Sequence, residues 1–324
     1  MAPCTLCPRT CRTDRLAGDK GFCAAPYPAM VFYHNLLYGE EMEICPSYEI
    51  FLAGCNLRCS FCYVKKWLDS PKPGDLRSLT SIQESVSRAR PLSRSISFIG
   101  GEPTVNILSV LELLRALEES PMLVWNSNMY MDLKVPEILS GIVDLYIADL
   151  HFHGADCSRN LAGVDDYFDK ASGAVLKAAA SAKVIVRHLL IPGHIECCFY
   201  PIAAWMKENL PGVPVHIMEN YYDGEGKRLS HKEGRAALEF AKRVGLNIYR
   251  DEIPVGRWKE PSKRNRLGME EEEIIIEKDG KVFFRHLTDE FLDIAATLEP
   301  ANTDLKKRRK AFLNRRKQNE PESR

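Results

Sequence analysis

"YEIFLAGCNLRCSFCY" occupies residues 48–63. The apolar run "YEIFLA" reads as a buried strand. It leads into a loop carrying Cys55, Cys59 and Cys62, spaced C-x3-C-x2-C. Further along the chain the same unit recurs. Apolar runs at "SISFIG" (95–100), "MLVWNS" (122–127), "DLYIADL" (144–150), "KVIVRHLLI" (183–191) and "PVHIMEN" (214–220) alternate with helical patterns. The clearest helix is "VNILSVLELLRALEE", with Ile107, Leu108, Leu111, Leu114 and Leu117 on one face. Another is "SHKEGRAALEFAKRVG", opened by Ser230 as N-cap and closed by Gly245. Near-continuous apolar strands are the mark of a parallel sheet covered on both faces. Six β-α units in series predict an α/β fold with a parallel sheet, open or barrel-like. In such folds the chemistry gathers at the carboxyl ends of the strands.

The rest of the chain bounds the function. It has 324 residues, 45% hydrophobic and 27% charged, with a formal net charge of zero. That balance gives no electrostatic argument for nucleic acid or an acidic membrane surface. No apolar run reaches the roughly 18–20 residues of a spanning helix. The N-terminus "MAPCTLCPRTCRTDR" lacks the apolar core of a secretory signal. A cytoplasmic location with reduced thiols is the expectation, and there eleven cysteines favour metal over disulfides.

Three segments are expected. Residues 1–45 read as an irregular cysteine-rich, metal-binding appendage, 46–250 as the core, and 251–324 as an extension. In the extension, "EEEEIIIEKDGKVFFRHL" suggests a hairpin around Asp279-Gly280 and "TDEFLDIAATLEP" a short helix. The basic tail "KKRRKAFLNRRK" reads as a solvated helix rather than a nucleic-acid contact.

Four thiolates close a zinc site or fill the four irons of a cubane cluster. Three leave one iron open to a ligand. Three buried loop cysteines, or zinc with a fourth ligand elsewhere, are the other readings of the loop by itself. C-x3-C-x2-C directly after the first core strand resembles the signature of the radical S-adenosylmethionine (SAM) superfamily. "SFIGGEPT", with Gly100, Gly101, Glu102 and Pro103 at the end of the next strand, resembles that family's Gly-Gly-Glu-Pro motif. The resemblance implies a partial (β/α)6 barrel in which Cys55, Cys59 and Cys62 hold a 4Fe-4S cluster. The methionyl amine and carboxylate of S-adenosylmethionine chelate the fourth iron. Reductive cleavage then gives a 5'-deoxyadenosyl radical that abstracts a substrate hydrogen. Gly100, Gly101 and Glu102 would bind the methionyl amine, with Glu102 accepting from the ammonium. Phe61 stands at the adenine side.

Other stretches resemble the activating enzymes of glycyl radical enzymes, above all of pyruvate formate-lyase. "DLYIADLHF" is similar to their Asp-Leu-Lys strand, with Asp149 on the acid and His151 where lysine is usual. "WNSNMY" falls where they carry Asp-Thr-Asn-Gly, which makes Asn126, Ser127 and Asn128 cofactor-site candidates. "VIVRHLLIPG" resembles a strand whose arginine, here Arg187, faces the cofactor. The chain departs from the activases at Asn126 and His151, and in having "YVKKWLD" after Cys62 instead of His-Asn-Pro. The head "CTLCPRTCRTDRLAGDKGFC" resembles the pyruvate formate-lyase activating enzyme-related family. Its Cys4, Cys7, Cys11 and Cys23 imply zinc or an auxiliary iron-sulfur cluster as a second metal site. The resemblance covers about residues 1–250.

The expected function is thus radical SAM chemistry of an oxidoreductase or lyase. It would serve as an activase for a glycyl radical enzyme or peptide partner, or act directly on a small molecule or peptide. Flavodoxin or ferredoxin would donate the electron. A zinc-stapled, non-catalytic binding protein is the third reading. Cys197 and Cys198 are adjacent and read as buried or free thiols, Cys45 and Cys157 as structural. His188, His194 and His216 read as satisfied structural histidines, and Tyr221-Tyr222 could close the substrate side.

Overall fold

The computed structural model describes residues 4–38, 41–69, 74–117, 122–222 and 226–249, and the backbone of 273–276 and 282–285. The run before the three cysteines is strand β2 (Ser47–Leu52), buried at every position; β1 (Met30–Leu37) precedes it. Then come α1 (Lys65–Asp69), β3 (Arg77–Ser78), α2 (Gln83–Ala89), β4 (Ser95–Gly100), α3 (Ile107–Arg115), β5 (Met122–Ser127), α4 (Lys134–Leu139), β6 (Leu145–Asp149), α5 (Ala155–Ala162) and α6 (Tyr167–Ala179). The core ends with β7 (Lys183–Leu189), α7 (Tyr200–Asn209), β8 (Pro214–Met218), α8 (His231–Val244) and β9 (Asn247–Ile248).

The sheet order is β3-β1-β2-β4-β5-β6-β7-β8-β9. From β2 to β9 every pairing is parallel and each strand lies beside its sequence neighbour, apart from β3, which pairs antiparallel with β1. This is the α/β architecture of a partial barrel, with the six expected strands β2, β4, β5, β6, β7 and β8 in series. Successive strands joined by helices bury a main core, in which Phe98, Trp125, Tyr146, Phe152 and Tyr167 are inaccessible to solvent. Each such side chain contributes about 1.5–3 kcal/mol of burial.

Local signals explain the helix ends. Ser230 Oγ accepts from Glu233 N, Glu233 accepts from Ser230 N, and Gly245 closes α8 at φ +73°. α3 starts later than its apolar pattern, because Pro103–Asn106 form a 3-10 turn first.

The head differs from the irregular appendage expected. "MVFYHNLL" is a strand, β1, whose mixed burial at the sheet margin gave a weak apolar signal. Met1–Leu36 and Pro46–Tyr249 form one compact unit. A second unit takes Leu37–Cys45 and Arg250–Arg324. In it, β10 (Glu273–Ile276) and β11 (Val282–Arg285) pair antiparallel, Ile276 opposite Val282. That register fits the expected hairpin. Its turn at Asp279-Gly280, the helix "TDEFLDIAATLEP" and the basic tail lie outside the described residues. Among the described residues no helix is long and apolar enough to cross a membrane.

Candidate functional site

The loop after β2 is held from three sides. Cys55 N donates to Cys23 O of the head at 3.0 Å. Arg58 N and Ser60 N donate to Ala162 O and Leu161 O, at the end of α5, at 3.0 and 2.8 Å. The Arg58 guanidinium donates to Cys55 O, Leu57 O and Phe22 O. The three thiols thus sit on a backbone fixed by the head, by α5 and by the loop itself. Burial and the neighbouring thiols push Cys55 well up, and burial, Cys62 and Asp149 push Cys59 up to about 12. Thiols so placed lose their protons only to a cation or cluster that takes up the charge. An odd set of three thiols at the end of the first parallel strand, Cys55 buried and Cys59 and Cys62 half-buried, fits the expected cluster.

The glycines after β4 serve a close approach. Gly100 has φ +115°, and a Cβ there would lie 2.2 Å from Leu52 N. A Cβ on Gly101 would lie 2.2 Å from Gly54 O, beside the three-cysteine loop. The neighbours that need the missing side chains are the chain's own backbone. Glu102 likewise looks inward. It is buried, Oε1 accepting from Thr104 N (3.0 Å) and Ser127 Oγ (2.8 Å) and Oε2 from Asn128 N (2.9 Å). Burial raises its pKa and these donors oppose the rise. Three of its acceptor positions are thus taken by the protein, which differs from the open acceptor expected for an ammonium.

Asn126 and Ser127 are buried at the end of β5. Asn128 Nδ2 reaches Asn56 Oδ1 at 3.0 Å and Cys55 Sγ at 3.8 Å. Asn56 Nδ2 in turn donates to Tyr130 O at 2.6 Å. Tyr167 OH lies 2.7 Å from Asp149 O and 3.0 Å from Asn128 O, bridging the ends of β6 and β5. Sequence reasoning missed Asn56, Arg58 and Tyr167. Polar residues in a loop and an aromatic in a helix carry no local mark of where they point.

Beyond β6, His151 Nδ1 accepts from Leu189 N at 3.1 Å, which leaves the proton on Nε2, 3.9 Å from Asp149 Oδ1. Burial, His188 and Arg187 push His151 down to about 3. His151 is therefore a neutral donor at ordinary pH, where a lysine would be a cation. Arg187 is buried and stands opposite Asp149 in the β6/β7 register. His188, buried, donates Nδ1–H to Leu150 O at 2.6 Å, as a structural histidine would. Phe61 packs beside Phe152 and Tyr221, with centroids 6.1 and 5.6 Å away. Tyr221 is buried and Tyr222 exposed.

In the head, Cys4, Cys7 and Cys23 are buried and Cys11 is half-buried. Thr10 and Arg12, between the cysteines, and Ala24, just after Cys23, take positive φ and turn the chain sharply. A Cβ on Gly21 would meet Cys11 Sγ at 2.8 Å. Burial pushes Cys7 up to about 11, and the Cys23 and Cys4 thiols add to the rise. Cys4 and Cys23 lie within electrostatic reach of both Cys7 and Cys11, on a segment with little regular structure of its own, a donor set that suits a metal centre. The head is stitched to the core. Arg9 Nε donates to Asn56 O at 2.6 Å, and its guanidinium lies 3.4 Å from the Phe22 ring centroid. Arg15 donates to Ala25 O, Pro26 O and Val105 O, and Asp132 N to Leu6 O.

A further group was not expected. Cys157, His194, Cys197 and Cys198 bring one ligand atom each to within 4.8 Å of one another. The adjacency of Cys197 and Cys198 obscured the informative spacing, which is three and four residues from His194, one helical turn.

The profile of the Radical SAM superfamily matches residues 50–206. The uncharacterized protein MJ0674 of Methanocaldococcus jannaschii is 32% identical over 266 residues, spanning 76% of this chain and 77% of that protein. A Haemophilus influenzae protein named "Putative glycyl-radical enzyme activating enzyme" is 29% identical over 110 residues, 32% of this chain and 41% of that one. Among solved structures, Streptococcus suis SuiB bound to S-adenosylmethionine superposes with a TM-score of 0.47 at 18% identity. That match takes 60% of this chain and 47% of SuiB, so this chain spans about half of that relative.

Proposed function

We propose that this chain, which belongs to the radical SAM superfamily, abstracts hydrogen from a glycine of a partner enzyme in the manner of an activase. It is an enzyme of that superfamily, and its cofactors are a 4Fe-4S cluster and S-adenosylmethionine. When bound, they supply an electron and a 5'-deoxyadenosyl radical strong enough to take hydrogen from carbon. Cys55, Cys59 and Cys62 would hold the cluster. The backbone at Gly100 and Gly101 would receive the methionyl amine, with Glu102 holding that turn to Ser127 and Asn128. Asn126, Asn128, Asp149, His151 and Arg187 would shape the rest of the cofactor site, with Phe61 at the adenine side. The observation that carries the reading is the convergence of the three-thiol loop with the ends of β4, β5, β6 and β7 at one edge of a parallel sheet. The activase role is supported by the partial likeness to the Haemophilus protein. A one-electron donor of flavodoxin or ferredoxin type is required.

A second reading, direct action on a small molecule or peptide, is favoured by the contact of Cys23 O with Cys55 N. That contact joins Cys23 to the loop, and an auxiliary iron-sulfur cluster on Cys4, Cys7, Cys11 and Cys23 would serve the substrate from there.

The test uses protein purified and reconstituted without oxygen, reduced with dithionite and given S-adenosylmethionine. Deoxyadenosine from intact protein, and none after Cys55, Cys59 and Cys62 are changed to alanine, is the expected result. Reconstituted protein that holds only zinc and releases no deoxyadenosine would sink the enzymatic reading. One cofactor consumed per partner carrying a glycyl radical marks an activase; repeated turnover without a protein partner marks the direct catalyst.

A further inference from the structure

The Cys157 group lies where the loops after β6 and β7 meet. Cys157 is in the first turn of α5. His194 ends the loop after β7, and Ile195–Phe199 form a single π-helical turn that runs into α7. Cys198 N donates to His194 O at 3.0 Å, so the turn closes on the histidine. It carries Cys197 and Cys198 to the same side as His194. Cys157 Sγ lies 3.4 Å from both Cys197 Sγ and His194 Nδ1. Cys197 Sγ lies 3.5 Å from His194 Nδ1 and 4.0 Å from Cys198 Sγ.

These are four of the six edges of a small tetrahedron whose corners all lie within 4.8 Å of one another. Zinc bonds of about 2.3 Å to sulfur and 2.0–2.1 Å to nitrogen give S···S edges of roughly 3.8 Å and S···N edges of roughly 3.6 Å. A cubane cluster binds each thiolate to a different iron and spreads its ligands around a much larger body. A disulfide would account for two of the sulfurs but for neither the third nor the imidazole nitrogen turned toward them. Three thiols and one imidazole are a closed donor set of the kind that holds structural zinc.

We propose that Cys157, His194, Cys197 and Cys198 bind one zinc ion, which fastens the first turn of α5 to the start of α7. The consequence reaches the radical site through one helix. The last residues of α5, Leu161 and Ala162, accept from Ser60 and Arg58 in the Cys55–Cys62 loop. An ion that fixes one end of α5 steadies the loop bonded to its other end. The site rests on its own four residues and stands whether or not the radical chemistry does.

The test uses the full chain prepared without oxygen, with zinc per chain measured by mass spectrometry of the metals. Cys7→Ser disrupts the head group and serves as the control. At least one zinc equivalent retained in Cys7→Ser, and one equivalent fewer than the parent protein in Cys197→Ser and again in His194→Ala, is expected. In case a variant does not fold, the unaltered protein is stripped with a chelator and given zinc alone. Alkylation of Cys157, Cys197 and Cys198 is then followed by peptide mass. Zinc should slow all three together at least tenfold. Zinc content that ignores Cys197 and His194, alkylation that ignores zinc, iron in place of zinc at these residues, or a Cys157–Cys197 disulfide in the oxygen-free protein would each overturn the assignment.

Discussion

Ser127 Oγ donates to Glu102 Oε1 across 2.8 Å and ties the end of β5 to the end of β4. With Thr104 N and Asn128 N on the same carboxylate, one buried side chain organises two neighbouring strand ends. Glu102→Ala should cost about 3 kcal/mol, since it leaves buried donors unpaired; Ser127→Ala should cost about 1 kcal/mol. Urea midpoints of the two variants measure this. Equal costs would mean that Ser127 carries the whole connection.

Gly101 faces Gly54 O so closely that a methyl group must push the three-cysteine loop away. Gly101→Ala should fold yet take up less iron on reconstitution than the unaltered chain. Overpacking of this kind costs about 1–3 kcal/mol. Iron and sulfide per chain are the readout, and undiminished loading would mean that the loop yields freely.

Arg9 joins the head to the loop by a hydrogen bond to Asn56 O and by stacking on the half-exposed Phe22. Arg9→Ala should destabilise the protein by about 1–2 kcal/mol, and Arg9→Lys should recover little, because an ammonium has neither the flat face nor the fork. Limited proteolysis of the head reports the change. Full rescue by lysine would reduce the contact to simple charge.

Acid should act through the buried histidines. Burial holds His188 down at about 4, against its usual 6.5, although its bond to Leu150 O works the other way. The unfolded chain takes up a proton below about 6.5 while the folded one does not until near 4. The stability is therefore whole above pH 6.5 and is lost as pH falls through that window. At pH 5 the loss from this one group is about 2 kcal/mol. His188→Asn should flatten the fall in the urea midpoint between pH 7 and pH 5; parallel profiles for the two proteins would place the acid sensitivity elsewhere.

The strands were legible because burial on both faces leaves long apolar runs. "SISFIG" and "MLVWNS" are β4 and β5 to the residue. Ser230 and Gly245 marked α8 because caps are local chemistry. β1 was missed because only part of it is buried. Gly100 and Gly101 were legible as special, but their reason lies 48 and 47 residues back, at Leu52 and Gly54. The Cys157 group needed the fold, since 37 residues separate Cys157 from His194.

The docking of the head also sets an order of events during synthesis. The four head thiols leave the ribosome before the core residues that anchor the head. Their anchors, Asn56, Val105, Asp132 and Gly163, follow one after another over more than a hundred further residues. Until Gly163 has emerged, Arg9 lacks one of its acceptors and Cys55 waits on a partner that has not settled. A nascent chain halted near residue 120 should expose Cys4, Cys7, Cys11 and Cys23 to alkylation, unless a metal has already claimed them.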